Sequence, residues 1–320
     1  MLYLHEQNIR DAVSMKDMIN AIDQSYEIYQ SKQFTMPTRM QVTDDDNTLL
    51  LMPCITDDVI ATKLVSSFPN NTTSPVLHGL VILNSQENGE IKALMDGSFI
   101  TGFRTGAIGG SAVRHLARKD VSSIAVIGTG VQGLYQAIAA CTERKVTDIY
   151  VFNRTAEKIP AYKHSLQQWI GHEIHIHTMD SAAAAIDKAD VIITATTSKT
   201  PVLPDDKNLL KKKLIIGVGS FQPAMREFPR SLYQLADDIF IDTEDAITES
   251  GDISTPLAEN WISGSSVKTM AHLITSNASI ASQHDKTIVF KSTGMALFDT
   301  VTANLIYQRA IEKGIGTSLT

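Results

Sequence analysis

The stretch from Ile124 to Arg154 constrains this chain more than any other. It opens with the apolar run Ile124-Ala125-Val126-Ile127, turns through Gly128-Thr129-Gly130-Val131-Gln132-Gly133, continues in helix formers from Leu134 to Cys141, and ends in a second apolar run, Ile149-Tyr150-Val151-Phe152, followed by Asn153-Arg154. Strand, glycine loop, helix and second strand, in that order and within about thirty residues, make the βαβ unit that holds a dinucleotide. Gly128 allows the tight turn, Gly130 lets backbone approach a pyrophosphate, and Gly133 lets the helix lie close on the strand. The helix start offers unpaired N–H groups and the positive end of its dipole to the phosphates. Gly128, Thr129, Gly130, Val131 and Gln132 are therefore the first cofactor-contact candidates.

The residues just past the second strand discriminate between cofactors. A carboxylate about twenty residues past the loop would bind the ribose hydroxyls of NAD, whereas an arginine can hold the 2′-phosphate of NADP. This chain offers Asn153-Arg154-Thr155 and no carboxylate. NADP(H) is favoured, with NAD(H) left open: Arg154 is the expected phosphate partner, and Asn153 and Thr155 supply neutral hydrogen bonds.

On either side of this unit the pattern differs. Met18, Ile19, Ile22, Tyr26 and Tyr29 fall at helical spacing between Ser14 and Ser31, behind a Ser14 cap. Short strand-like runs come next at 48–52, 60–65, 79–83 and 91–96, with Asn88-Gly89 as a hairpin turn. A helix over about 100–117 then carries Arg104-Thr105-Gly106-Ala107 near its start, where anions bind readily. After Arg154, helices at 157–169 and 182–188 alternate with strands at 174–176, 191–195, 214–218 and 238–242. Such alternation predicts a doubly wound, mostly parallel sheet with ligands at the carboxyl ends of its strands. Thr105, Thr196, Val218, Ser220 and Ser292 complete the expected cofactor lining.

A last amphipathic helix, 296–313, ends at Gly314. Packed back on the first region, it gives an α/β fold: a doubly wound Rossmann nucleotide domain, 119–292, inserted in a discontinuous α+β outer domain, 1–118 completed by 293–320.

Composition bounds the function. A chain of 320 residues suits two domains, and a formal charge of −7 argues against a nucleic-acid partner. The run Lys211-Lys212-Lys213 precedes an apolar strand and is expected to be a solvated turn. Two cysteines, Cys54 and Cys141, make no disulfide framework, and no apolar run reaches the length of a membrane span. With no signal-peptide pattern at Met1 to Glu6, the cytoplasm is the expected location. His172, His175 and His177 look like a metal cluster, but strand spacing puts only two on one face and no acidic or thiol ligand is expected beside them, so no metal is assigned. Glu249-Ser250-Gly251-Asp252 reads either as a loop over the site or as a helix-terminal turn; Trp169 and Trp261 read as packing.

Taken together, Leu51-Met52-Pro53, Lys63, Arg104-Thr105-Gly106-Ala107, the glycine loop and Lys291-Ser292-Thr293-Gly294-Met295-Ala296-Leu297-Phe298-Asp299 resemble the ornithine cyclodeaminase/μ-crystallin family from about Met1 to Gly316. That family includes ornithine cyclodeaminases, a group of alanine dehydrogenases and reductases of cyclic ketimines such as pyrroline-2-carboxylate. The resemblance implies a homodimer joined through the outer-domain sheets, and places Arg39, Lys63 and Arg104 as a cationic clamp for a substrate carboxylate. An arginine fork matches a carboxylate bidentately, and Lys63 can also move a proton.

Two departures separate this chain from the cyclodeaminases it resembles. Leu50 stands where they carry a glutamate, and Phe221 where they carry an aspartate. Neither side chain accepts a proton or pairs with an ammonium. The expected reaction is reduction of a cyclic ketimine acid, with Met52 and Phe221 against the ring carbons and Lys63 or a water as proton source, in a pocket stripped of the carboxylates needed to cyclise a diamine. Ornithine cyclisation, an amino-acid dehydrogenase and a non-catalytic, μ-crystallin-like binder of NADPH and a small ligand stay as alternatives. Asp299 is expected to serve the start of the last helix as a cap or dipole partner.

Overall fold

The computed structural model describes residues 1–276 and 285–319. The chain divides into two units, Met1–Arg104 with Met295–Thr320, and Thr105–Gly294. This division falls earlier than the expected boundary at 118, because the helix Gly97–Leu116 begins in the first unit and ends in the second. Its later part belongs with the nucleotide-type unit for a packing reason: a Cβ on Gly106 would lie 2.6 Å from Tyr135 of the helix Val131–Glu143. Residues 277–284 and 320, inside the ranges assigned from sequence, lie outside the described residues.

The first unit is built on a sheet whose strands run, in spatial order, Thr317–Ser318, Leu2–Leu4, Ile91–Asp96, Leu77–Ser85, Val59–Ser67, Asn47–Thr56 and Phe34–Thr35, with Met40–Asp44 also paired to Asn47–Thr56. All these pairings are antiparallel except that of Leu2–Leu4 with Ile91–Asp96. Period-two burial in Val59–Ser67 turns Val59, Ala61, Lys63 and Val65 inward. The helices Met15–Ser31 and Ala296–Lys313 pack on each other, and Ala296–Lys313 also packs on the strands Asn47–Thr56 and Val59–Ser67. Tyr26 meets Phe298 edge to face, with ring centroids 5.2 Å apart. The first of these helices starts as expected, in a reciprocal box between Ser14 and Asp17; the second stops at Gly314, whose φ of +64 suits glycine.

In the second unit every strand pairing is parallel, in the order His175–Thr178, Asp148–Phe152, Ser123–Ile127, Val191–Thr194, Leu214–Gly217, Ile288–Lys291, Asp238–Ile241, Val267–Thr269. Strands buried on both faces read as unbroken apolar runs, and Val191–Thr194 and Leu214–Gly217 are fully buried. A cluster including Ala125, Ile127, Ile186, Ile192, Ile215 and Phe228 forms the core of this unit. The strands Ile288–Lys291 and Val267–Thr269 were not expected; both are short, and the first runs straight into Lys291-Ser292-Thr293-Gly294.

The lysine run is the turn expected, with Lys211 and Lys212 exposed, but its last residue does more. Lys213 donates to the carbonyls of Ile186, Asp187 and Ala189, closing the end of the helix Ala182–Asp187, while Lys212 pairs with Asp285.

Candidate active site

In the second sheet, the neighbours of Ser123–Ile127 lead away in opposite directions, which leaves a crevice at the carboxyl ends of the strands. A cleft of about 610 Å³ lies there, lined by Gly128, Thr129, Gly130, Asn153, Arg154, Thr155, Lys158 and Thr196 among others. Gly128 takes a φ of +104, and a Cβ on Gly133 would fall 2.1 Å from the Gly128 carbonyl oxygen, so the tight turn and close helix each exclude a side chain. Gly130 caps the helix Val131–Glu143 without a side-chain hydrogen bond, and nothing stands within 4 Å of where its Cβ would be. Open backbone N–H groups and helix dipole thus face free space. The Thr129 hydroxyl and the Gln132 side-chain oxygen are buried without a hydrogen-bond partner among the described residues. The hydroxyl donor and the open helix start fit the phosphates of a dinucleotide, while the Gln132 oxygen can only accept.

Not every expected contact is presented to that cleft. Asn153 Oδ1 accepts the Thr129 N–H at 3.1 Å and its Nδ2 donates to the Thr155 carbonyl at 2.8 Å, so its amide shapes the loop. Arg154 and Thr155 are exposed, and Lys158, which the motif did not single out, shares their wall. Val131 is 62 % exposed. Thr105 is buried, its carbonyl accepting from Gln136 Nε2. Ser220 is buried, its hydroxyl donating to the Met225 carbonyl and bonded to Ser250, and Val218 is buried beside it in sequence. The Ser292 hydroxyl donates to Asp242 at 2.6 Å; burial pushes the Asp242 carboxyl up, against this bond and the N–H groups of Thr293 and Gly294.

Sequence reasoning missed Glu227. Wholly buried, it accepts the N–H and hydroxyl of Thr196 on one oxygen (2.7 and 2.8 Å) and the N–H groups of Gly219 and Ser220 on the other (2.9 and 3.2 Å). Asp252 in turn accepts the N–H groups of Glu227 and Phe228, with Lys291 Nζ 3.3 Å from its other oxygen. Glu249-Ser250-Gly251-Asp252 therefore supplies a helix start, where Ser250 caps Gly251–Ala258, and an interior charge. Only the charged residue beside Phe228 could have signalled this, and it reads equally well as surface.

In the first unit the clamp residues meet a carboxylate. Met52 and Lys63 are cross-strand partners, both buried, and Lys63 Nζ lies 2.8 Å from Asp299 Oδ2. Arg104 Nε lies 2.9 Å from Asp299 Oδ1. Asp299 makes no capping bond; it stands in the first turn of Ala296–Lys313, as expected, and there it is also the shared counter-charge of two expected clamp residues. Arg104 sits in the middle of Gly97–Leu116 rather than near its start, so the pairing replaces the helix terminus as the reason for its placement.

Burial lowers the Lys63 pKa to about 8, helped by the Arg104 and Arg39 charges and opposed by Asp299. Burial raises that of Asp299, but Arg104 and Lys63 outweigh it and hold the carboxyl below its ordinary value. The cluster is therefore not stripped of carboxylates, yet the one it holds is ionised and engaged at both oxygens, a poor base for an amine. Leu50 and Phe221 lie on the strand Asn47–Thr56 and after the strand Leu214–Gly217, Phe221 being 43 % exposed.

The histidines need a correction. His177 Nε2 lies 2.8 Å from Asp148 Oδ1 and its ring stacks on Tyr150, so an acidic neighbour is present. Among the described residues no group of three or more histidine, cysteine or acidic side chains could hold a metal, and no helix is long and apolar enough to cross a membrane.

The sequence profile of the ornithine cyclodeaminase/mu-crystallin family matches residues 2–314. The chain is 31% identical over 327 residues to a Delta(1)-pyrroline-2-carboxylate reductase of Bacillus thuringiensis subsp. konkukian, covering 100% of this chain and 99% of that one. The structure of the Thermococcus litoralis Delta(1)-pyrroline-2-carboxylate reductase, in complex with NADH and L-proline, superposes with a TM-score of 0.92 at 30% identity, both chains covered in full. An archaeal alanine dehydrogenase dimer with bound NAD gives a TM-score of 0.90 at 25% identity, over 100% of this chain and 99% of that one. The chain belongs to the ornithine cyclodeaminase/mu-crystallin family.

Proposed function

We propose that this protein is an oxidoreductase that reduces a cyclic ketimine acid, of the pyrroline-2-carboxylate type, to the corresponding cyclic amino acid. The buried Lys63–Arg104–Asp299 cluster carries this reading. Two cations against one carboxylate keep an excess of positive charge for an acid group, and the Arg39 charge also bears on Lys63. Lys63, with a pKa near 8, is still mostly charged at neutral pH and releases a proton easily, so it serves both to hold the acid and to protonate the imine nitrogen. A nicotinamide, when bound in its reduced form, supplies the hydride. Met52, the cross-strand partner of Lys63, offers apolar surface to ring carbons. The reductases of Bacillus thuringiensis and Thermococcus litoralis, each matched over essentially the whole chain, support the same substrate class.

For the cofactor, the second unit offers the glycine loop, Thr129, Gln132 and Thr196, with Arg154 and Lys158 on one wall. We infer that NADPH is taken at least as readily as NADH, since two cations and no carboxylate succeed the second strand along the cleft; the two related structures hold NADH and NAD. A homodimer through the outer sheet is favoured by the exposed apolar side chains Met40, Val42, Leu49 and Ile55 on neighbouring strands, and by the dimeric alanine dehydrogenase.

The test is a spectrophotometric panel: pyrroline-2-carboxylate and its six-membered homologue, pyruvate with ammonia, and ornithine, each with NADPH and NADH. Cyclic imines should oxidise the cofactor fastest. Ammonia release from ornithine in the absence of imine reduction would reverse the assignment.

A further inference from the structure

The last ladder bond between the strands Val191–Thr194 and Leu214–Gly217 runs from the Val218 N–H to the Thr194 carbonyl, 3.0 Å. Beyond it the two backbones separate into loops, 195–198 and 219–222, at the carboxyl edge of the sheet. Thr196 lines the cleft. Its loop also touches the glycine turn, because a Cβ on Gly128 would fall 2.6 Å from the Ala195 carbonyl oxygen. Whatever fixes 195–198 therefore fixes one side of the turn at Gly128.

Glu227 does this from inside the protein. Its two oxygens take four donors, three backbone N–H groups and one hydroxyl, drawn from both loops. The loops have no slack: a Cβ on Gly219 would lie 2.1 Å from the Thr196 carbonyl oxygen. Behind Glu227, Asp252 holds its backbone N–H at 2.8 Å, and Lys291, equally buried, stands 3.3 Å from Asp252 and 3.9 Å from Glu227 to balance the charge. Burial pushes the Glu227 carboxyl up, against the Lys291 charge and the Thr196 donors, and no neutral side chain of the same shape can accept all four donors.

We infer that Glu227 is a positioning residue for the cofactor: it ties loop 195–198 to loop 219–222 and so holds Thr196 and the glycine turn in the geometry that receives a dinucleotide. The inference rests on the reading of this cleft as the dinucleotide site. Glu227 lines no part of the cleft itself and acts only through the groups it holds.

Glu227→Gln tests it at constant shape. A glutamine oxygen can serve the N–H groups of Gly219 and Ser220, and its NH₂ then meets the Thr196 hydroxyl, which can turn to accept, and the Thr196 N–H, which cannot, so that N–H loses its bond and is opposed by a like donor. The full-length variant should bind NADH at least about tenfold more weakly by fluorescence titration, the equivalent of one charge-assisted hydrogen bond. At saturating cofactor its KM for a cyclic imine should stay within about threefold of wild type. Amide exchange should speed up in peptides carrying 194–198 and 217–222. A residue that only stabilised the fold would lower Tm and leave the NADH Kd of the folded protein unchanged.

If Glu227→Gln does not fold, Thr196→Val and Thr196→Ser make the same comparison at the other end of one bond. Valine should weaken NADH about threefold to tenfold, and serine, which keeps the hydroxyl, should restore binding to within about twofold. An NADH Kd within about twofold of wild type in folded Glu227→Gln, or equal losses in the two Thr196 variants, overturns the inference while leaving the dinucleotide site in place. Wild-type protein that binds neither NADH nor NADPH overturns the dinucleotide reading, and the inference with it.

Discussion

Replacing Asp299 by asparagine removes one charge from the buried cluster and keeps its shape. Asp299 is the group that holds the Lys63 pKa up; burial and the charges of Arg104 and Arg39 press it down to about 8. At an effective dielectric constant of about 20, unit charges 2.8 Å apart attract by about 6 kcal/mol. If a quarter of that survives relaxation of Arg104 and the hydrogen bond that asparagine can still accept, the Lys63 pKa falls by about one unit. The sign is fixed: Lys63 donates its proton below its pKa and cannot above it, so kcat/KM for imine reduction is level on the acid side and falls through about pH 8 in the wild type. In Asp299→Asn the alkaline limb should move to about pH 7, with about a fivefold loss at pH 8 and little loss at pH 6. The substrate KM at pH 6 should not rise, because the cluster gains net positive charge. The assay is NADPH oxidation across pH 5.5–9.5, with a melting curve to verify the fold. An alkaline limb that stays in place, or moves to higher pH, would refute Lys63 as proton donor under Asp299 control.

The geometry dictates three further outcomes. Arg154→Ala should weaken NADPH by about tenfold or more and leave NADH within about threefold, by calorimetric titration, with Lys158→Ala acting in the same direction; equal losses for both cofactors would exclude a 2′-phosphate role. Gly133→Ala, which in an open helix would add up to about 1 kcal/mol of stability, should instead cost about 1–3 kcal/mol and weaken either cofactor, since the new Cβ has the Gly128 carbonyl 2.1 Å away; a raised Tm would show that the loop gives way. Lys63→Ala should lower kcat/KM for a cyclic imine at least about a hundredfold while NADH binding is kept, checked by stopped-flow and titration together.

Much of the fold was legible because it rests on local chemistry. Glycines at 128, 130 and 133, the Ser14–Asp17 box and Gly314 at the end of the last helix all act within a few residues of themselves, and each lies where expected. The strands at 288–291 and 267–269 were not legible, since three or four residues carry too little pattern to separate a buried strand from a loop. The same limit applied to the site. Lys63 and Arg104 were legible through shared motifs, but their partner Asp299 lies 236 and 195 residues away, and nothing near it in sequence shows whether a carboxylate in the first turn of a helix faces water or two cations. Glu227 was hidden for a related reason: three of its four donors are backbone N–H groups, which leave no mark in the sequence.

The distance between Lys63 and Asp299 has a consequence for how the protein is made. A ribosome makes the acid that pairs with Lys63 and Arg104 long after the two cations themselves, and the βαβ segment around Gly128 is released in between. Until then, burying those two cations would be electrostatically prohibitive. The outer unit is therefore completed only after the βαβ segment, and a nascent or truncated chain that lacks the helix Ala296–Lys313 lacks the acid that closes this charged interior.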